Sequence, residues 1–160
     1  MKENKKFFLS RNFAENNNER LILISILSYY CRQIFNGTKM FEFRKSPIPV
    51  SALNKQMFVY SAKDDKAVIG SFKVKRIHEG NIEQILKITG YKERADGQEI
   101  VKYFKNCLRC YALELYDIHI FKKALSLKRM RTLDPKIQMP QYYTYINKNS
   151  PIYYELKTLS

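Results

Sequence analysis

The stretch Asn36-Gly37-Thr38-Lys39-Met40-Phe41-Glu42-Phe43-Arg44-Lys45 admits few backbone courses. Its Asn-Gly pair is a helix stop, because glycine accepts the left-handed conformation that closes many helices. Beyond it, Phe41 and Phe43 alternate with Glu42 and Arg44, the period of a half-buried strand. The spacing predicts a short helix ending near Asn36, a turn, and a strand. The two phenylalanines then face a core. Glu42 and Arg44 share the opposite face, about 7 Å apart at two strand rises. A carboxylate beside a guanidinium can hydrogen-bond a planar group such as a nucleobase edge, or the two can simply pair with each other. Lys39 has the opposite parity and joins them only if it precedes the regular strand or a bulge intervenes.

The rest of the chain reads as short strands with two central helices, which by pattern alone means α+β. Leu21–Ile26 is a continuous apolar run of strand length, suited to burial on both faces. Ser28 is placed to cap the helix that follows. Pro47 and Pro49 force an extended connection. Residues 56–62 and 66–77 read as strands joined by an Asp64-Asp65 turn, and Lys73 and Lys75 form a basic row on the second. Asn81 and Gln84 have capping-box spacing, Gly90 ends that helix, and Asp96 and Glu99 repeat the cap spacing for the next. Residues 108–121 are strand-like, and 126–131 suggest a short helix. The segment 138–159 is tyrosine-rich and irregular.

The 160 residues fit one domain with a sizeable core. A formal net charge of +14 favours polyanions, nucleic acid first and an anionic membrane surface second, although it can also serve solubility or an acidic protein partner. No apolar run approaches the length of a membrane span. The start, Met1 to Lys6, lacks the apolar core of a secretory signal, so a cytoplasmic location is expected. Cys107-Leu108-Arg109-Cys110 has zinc-like spacing, but Cys31, His78 and His119 supply no second pair. Neither a metal nor another cofactor is expected, and the thiols are read as reduced.

The 36–45 stretch resembles the Gly-x-Lys-x-x-Glu-x-Arg signature of the ASCH domain, a member of the PUA-like superfamily, at Gly37, Lys39, Glu42 and Arg44. Further landmarks follow in order: the Ser25-Ile26 pair closing a first strand, Tyr60-Ser61 and Val68 to Phe72 as a central hairpin, Tyr111-Ala112-Leu113 as a later strand, and Pro140-Gln141 with Tyr143. Leu27-Ser28, Met139 and Tyr142 depart from the residues many relatives carry there. The resemblance implies a pseudo-barrel, a small curved mixed sheet with flanking short helices. It divides the chain into a polar N-terminal extension of low order (1–20), the ASCH/PUA-like domain (21–146) and a C-terminal tail (147–160).

The same resemblance implies a polar cleft with Lys39, Glu42 and Arg44 pointing into it, joined by Ser61 and Gln141. Lys39 supplies charge for phosphate, Glu42 an acceptor or general base, and Arg44 a bidentate contact. The basic residues Lys73, Lys75, Lys102, Lys105, Arg109, Lys122, Lys123, Lys128, Arg129 and Arg131 are candidates for a phosphate-backbone surface. Tyr60, Tyr142 and Tyr143 are candidates for stacking on unpaired bases. The leading expectation is a monomeric module that binds RNA or a nucleotide. Its alternatives are a ribonuclease or nucleoside amidohydrolase of the ASCH type, and a basic protein-interaction regulator. A regulatory role is compatible with each. The amidohydrolase is disfavoured because those relatives place a threonine nucleophile three residues after the lysine, where this chain has Glu42.

Overall fold

In the computed structural model, residues 19–159 are described. Most of the polar N-terminal extension read over 1–20 lies outside them. Strand β1 (Leu21–Leu27) runs into helix α1 (Ser28–Phe35), and β2 (Phe41–Arg44) follows the turn. Strands β3 (Gln56–Ala62) and β4 (Ala67–Gly80) form a hairpin. Helices α2 (Ile82–Thr89) and α3 (Gly97–Tyr103) lead to the long β5 (Cys110–Ser126). Helix α4 (Leu127–Leu133), β6 (Tyr143–Ile146) and α5 (Tyr153–Lys157) complete the described chain.

The strands form one six-stranded mixed sheet in the order β2-β5-β4-β3-β1-β6. Among the described strands, β1 and β3 alone pair in parallel. A parallel pair needs a crossover, and α1 with β2 lies on it. The sheet curls until its two edges approach. Arg44, on edge strand β2, donates from Nη2 to the Ser25 carbonyl of β1 at 2.7 Å, while the Ser25 amide donates to Tyr142 O at 2.8 Å beside β6. A side chain, not a backbone ladder, spans that seam, as in a pseudo-barrel.

Period-two alternation sorts the apolar residues onto two faces. Ile22, Ile24, Met57, Val59, Phe72, Val74, Leu113 and Leu115 share one core with Cys31 and Ile34 of α1. Leu23, Phe58, Tyr60 and Val68 share a second with Met130 of α4. Burial on both faces, expected for β1, thus extends to β3. Beneath β2, Phe43 packs on Tyr91, Ile100 and Phe104 in a third cluster. Gly70 is required sterically: a Cβ there would fall 2.5 Å from the Phe35 ring.

Three local expectations are corrected. Ser28 is the first residue of α1 and caps nothing in it; its hydroxyl bonds Ala62 O and accepts the Asp64 and Asp65 amides of the β3–β4 turn. Asp96 makes no cap bond, because Arg94 takes both its carboxylate oxygens at 2.9 Å. The irregular C-terminal stretch contains β6 and α5. Ile152, Tyr153 and Leu156, within the segment read as a tail, are buried in the second core. The capping box at Asn81 and Gln84 and the left-handed Gly90 stop are as expected.

Candidate active site

The turn after α1 delivers the first site residue. Gly37 adopts φ +82°, and two reversed hydrogen bonds close the helix: Gly37 N to Ile34 O at 3.1 Å, and Thr38 N to Gln33 O at 3.0 Å. Asn36 Oδ1 accepts from the Thr38 amide and hydroxyl. The chain leaves this turn with Lys39 two residues ahead of β2, which resolves the parity problem: Lys39 sits outside the regular alternation.

Lys39 is 3 % exposed and Glu42 5 %. Lys39 Nζ donates to the Phe41 carbonyl and to Glu42 Oε2, the latter at 2.7 Å. Arg44 Nη2 lies 3.0 Å from Glu42 Oε1. One carboxylate therefore bridges two cations, and the cluster keeps a net positive charge. Of three ammonium donors on Lys39, two are engaged. The Arg44 guanidinium lies over the Tyr142 ring at 4.5 Å, and its buried Nε has no hydrogen-bond partner among the described residues. A charge this buried is tolerated because it is paired and hydrogen-bonded.

This cluster forms the floor of a cavity of about 250 Å³. Ser25, Ile26, Leu27 and Tyr30 line one side, Glu99, Ile100 and Tyr103 of α3 another, and Pro140 and Gln141 a third. The walls are largely apolar and the floor polar, the usual make-up of a small-ligand site. Burial raises the Tyr30 phenol above its ordinary pKa, reinforced by the negative charges of Glu99 and Glu42. Burial does the same to Tyr103, against the lowering effect of Arg44. Both therefore remain protonated donors at neutral pH. The Glu99 carboxylate has no hydrogen-bond or ion-pair partner among the described residues.

Lys39, Glu42, Arg44 and Gln141 thus converge on one cavity. Ser61 does not: it is fully buried, and its hydroxyl is bonded to Ser28 Oγ at 3.0 Å and to the Asp65 carboxylate. Tyr60 lies in the second core without an open face for a base. Tyr142 and Tyr143 are half-buried and pack edge to face at 5.0 Å. The basic residues are spread over several elements. Lys73 pairs with Asp117, Lys75 with Glu114, Arg109 with Glu79 and Arg129 with Glu155. Lys122 and Lys123 line one groove, and Lys128 and Arg131 another. Lys102 lies on α3, and Lys105 just beyond it. Sequence reasoning missed Tyr30, Glu99 and Tyr103 as cavity residues. Glu99 carried a visible signal, an acid at helix-cap spacing, but it pointed to a different role.

No family model matches the chain. It is 26 % identical over 126 residues to an ASCH domain-containing ribonuclease of Zymomonas mobilis, covering 79 % of this chain and 84 % of that one. The chain is homologous to that ASCH protein over most of its length. The crystal structure of the Zymomonas mobilis ASCH protein superposes with a TM-score of 0.72 at 24 % identity, over 84 % of this chain and 93 % of that one. The N-terminal domain of Staphylothermus marinus McrB matches with a TM-score of 0.52 at 10 % identity, over 87 % and 92 % of the two chains. These superpositions establish the ASCH fold expected from the landmark residues. No helix among the described residues is long and apolar enough to cross a membrane.

Proposed function

We propose that this ASCH protein cleaves single-stranded RNA at the cavity floored by Lys39, Glu42 and Arg44. The carrying observation is the convergence of an ammonium and a guanidinium on one carboxylate at the floor of an open cavity. Its relationship to an ASCH ribonuclease favours cleavage over binding alone.

Cleavage by internal transesterification joins the ribose 2′-oxygen to phosphorus and releases the 5′-oxygen. Negative charge builds on the non-bridging oxygens as the phosphorus becomes five-coordinate. Lys39 and Arg44 are the groups to stabilise it, in a buried setting where fixed charges act strongly. Glu42 is poorly suited to act as the base, because both its oxygens are already engaged. In this reading it is a positioning residue that holds the two cations apart and aimed. Glu99, unpaired on the rim, accepts the 2′-hydroxyl proton, and the departing 5′-oxygen takes a proton from solvent water. The amidohydrolase alternative gains no support, since Glu42 occupies its nucleophile position.

The test is incubation of the full chain with labelled single-stranded RNA and with DNA of the same sequence. RNA alone should be cut, and Lys39→Met should slow cleavage by about 100-fold or more, the usual effect of losing one transition-state donor. Salt-sensitive binding without any cleavage would overturn this reading in favour of a binding module.

A further inference from the structure

A second groove, of about 660 Å³, lies on β4 and β5 and shares no lining residue with the cavity. A β-bulge builds it. Ser71 pairs with His119 and Lys73 with Tyr116, so Asp117 and Ile118 together oppose the single residue Phe72. Asp117 sits at φ +51°, a left-handed conformation uncommon outside glycine. Bulges re-aim side chains. Here Asp117 holds Lys73 Nζ at 2.7 Å and His119 Nε2 at 2.6 Å. Lys122 and Lys123 line the same groove and have no ion-pair partner among the described residues. Three lysines therefore face one aspartate. Ile120, 69 % exposed, stands among them with Phe121 alongside.

We infer that this groove is an exosite that grips the phosphodiester backbone of single-stranded RNA outside the cavity. The inference rests on the proposed reading that RNA is the substrate. A cavity of about 250 Å³ accommodates only a small part of an RNA strand, so the flanking chain must lie on the protein surface. Lysines interleaved with exposed apolar side chains are what such a strand requires: point charges for phosphates and apolar surface for bases. Asp117 orders Lys73 in advance, whereas Lys122 and Lys123 supply cations free to neutralise phosphate.

The experiment compares wild type with the double variant Lys122→Glu/Lys123→Glu. Both side chains are exposed, so the fold should be retained, and a thermal melt verifies this. Binding of a long 2′-O-methyl RNA, which resists attack by its own 2′-oxygen, is followed by fluorescence anisotropy across a salt series. The variant should bind at least about tenfold more weakly at low salt. The slope of log Kd against log salt should fall by about 1 to 2, each lost single-strand phosphate contact contributing about 0.7. Cleavage of a dinucleotide that only fills the cavity should be unchanged. Equal affinity and slope in variant and wild type would overturn the exosite, as would loss of poly-glutamate binding with RNA binding intact. A wild type that cuts no RNA while the variant still loses RNA affinity would sink the cleavage reading and leave the exosite standing.

Discussion

Replacing Glu42 by glutamine tests the bracket at the cavity floor. The substitution is nearly isosteric and removes one charge. Glu42 is 5 % exposed and contacts Lys39 at 2.7 Å and Arg44 at 3.0 Å, so its loss leaves two enclosed cations without their shared counterion. Breaking a buried ion pair from one side costs about 3–5 kcal/mol. Arg44 is partly rescued by the Ser25 carbonyl, which places the expectation near the lower end, about 3 kcal/mol. For a chain of this size that is a fall in Tm of about 6–12 °C. Thermal melts and urea titrations of wild type, Glu42→Gln, Lys39→Met and the double variant provide the assay. The double variant should be less destabilised than the sum of the singles by about 1–3 kcal/mol, because removing Lys39 also removes half the reason for Glu42. Additive single effects, or a Glu42→Gln protein that melts with wild type, would refute the idea that one carboxylate holds both cations.

Two further outcomes follow from the packing. Leu156 is fully buried in the second core, so Leu156→Ala should cost about 2–5 kcal/mol in a urea titration, and an unchanged midpoint would show that α5 is not part of the cooperative unit. Burial pushes the Cys31 thiol up to about 12 and raises the Tyr30, Tyr91, Tyr103 and Tyr142 phenols. Each group holds its proton more tightly folded than unfolded. That contribution is complete below the ordinary cysteine and tyrosine values of about 8.5 and about 10, and is lost as pH rises through the folded values. Tm should therefore be level from neutral pH to about 8 and fall above about 9, while a Tm unchanged at about pH 11 would contradict the burial of these groups.

Local chemistry was the legible part of this protein. Asn36-Gly37 stops a helix whatever surrounds it, and the alternation from Phe41 to Arg44 defines a strand with a polar face, because both depend on backbone preferences within a few residues. The Asn81 capping box and the Gly90 stop belong to the same class, as does the two-sided burial of β1. Capping was misread where a tertiary partner competed: Arg94 takes Asp96, and Ser28 is drawn to the β3–β4 turn. The packing of Ile152, Tyr153 and Leu156 in the second core was not legible, because α5 has few residues and its apolar positions gain meaning only once β1 and β3 lie beneath them.

By itself the sequence determined that a lysine precedes, and a glutamate and an arginine share one face of, a short strand after a helix stop, on a body of net charge +14. Only the tertiary structure decided that Glu42 binds both cations, and that α3 with Pro140 and Gln141 walls the three charges into a cavity with Tyr30 and Glu99. It also decided that Ser61 and Tyr60 turn elsewhere. The reason is range. Helix stops and strand alternation are settled by neighbours in the chain, whereas a cavity is the space left between elements brought together by burial of surfaces far apart in sequence.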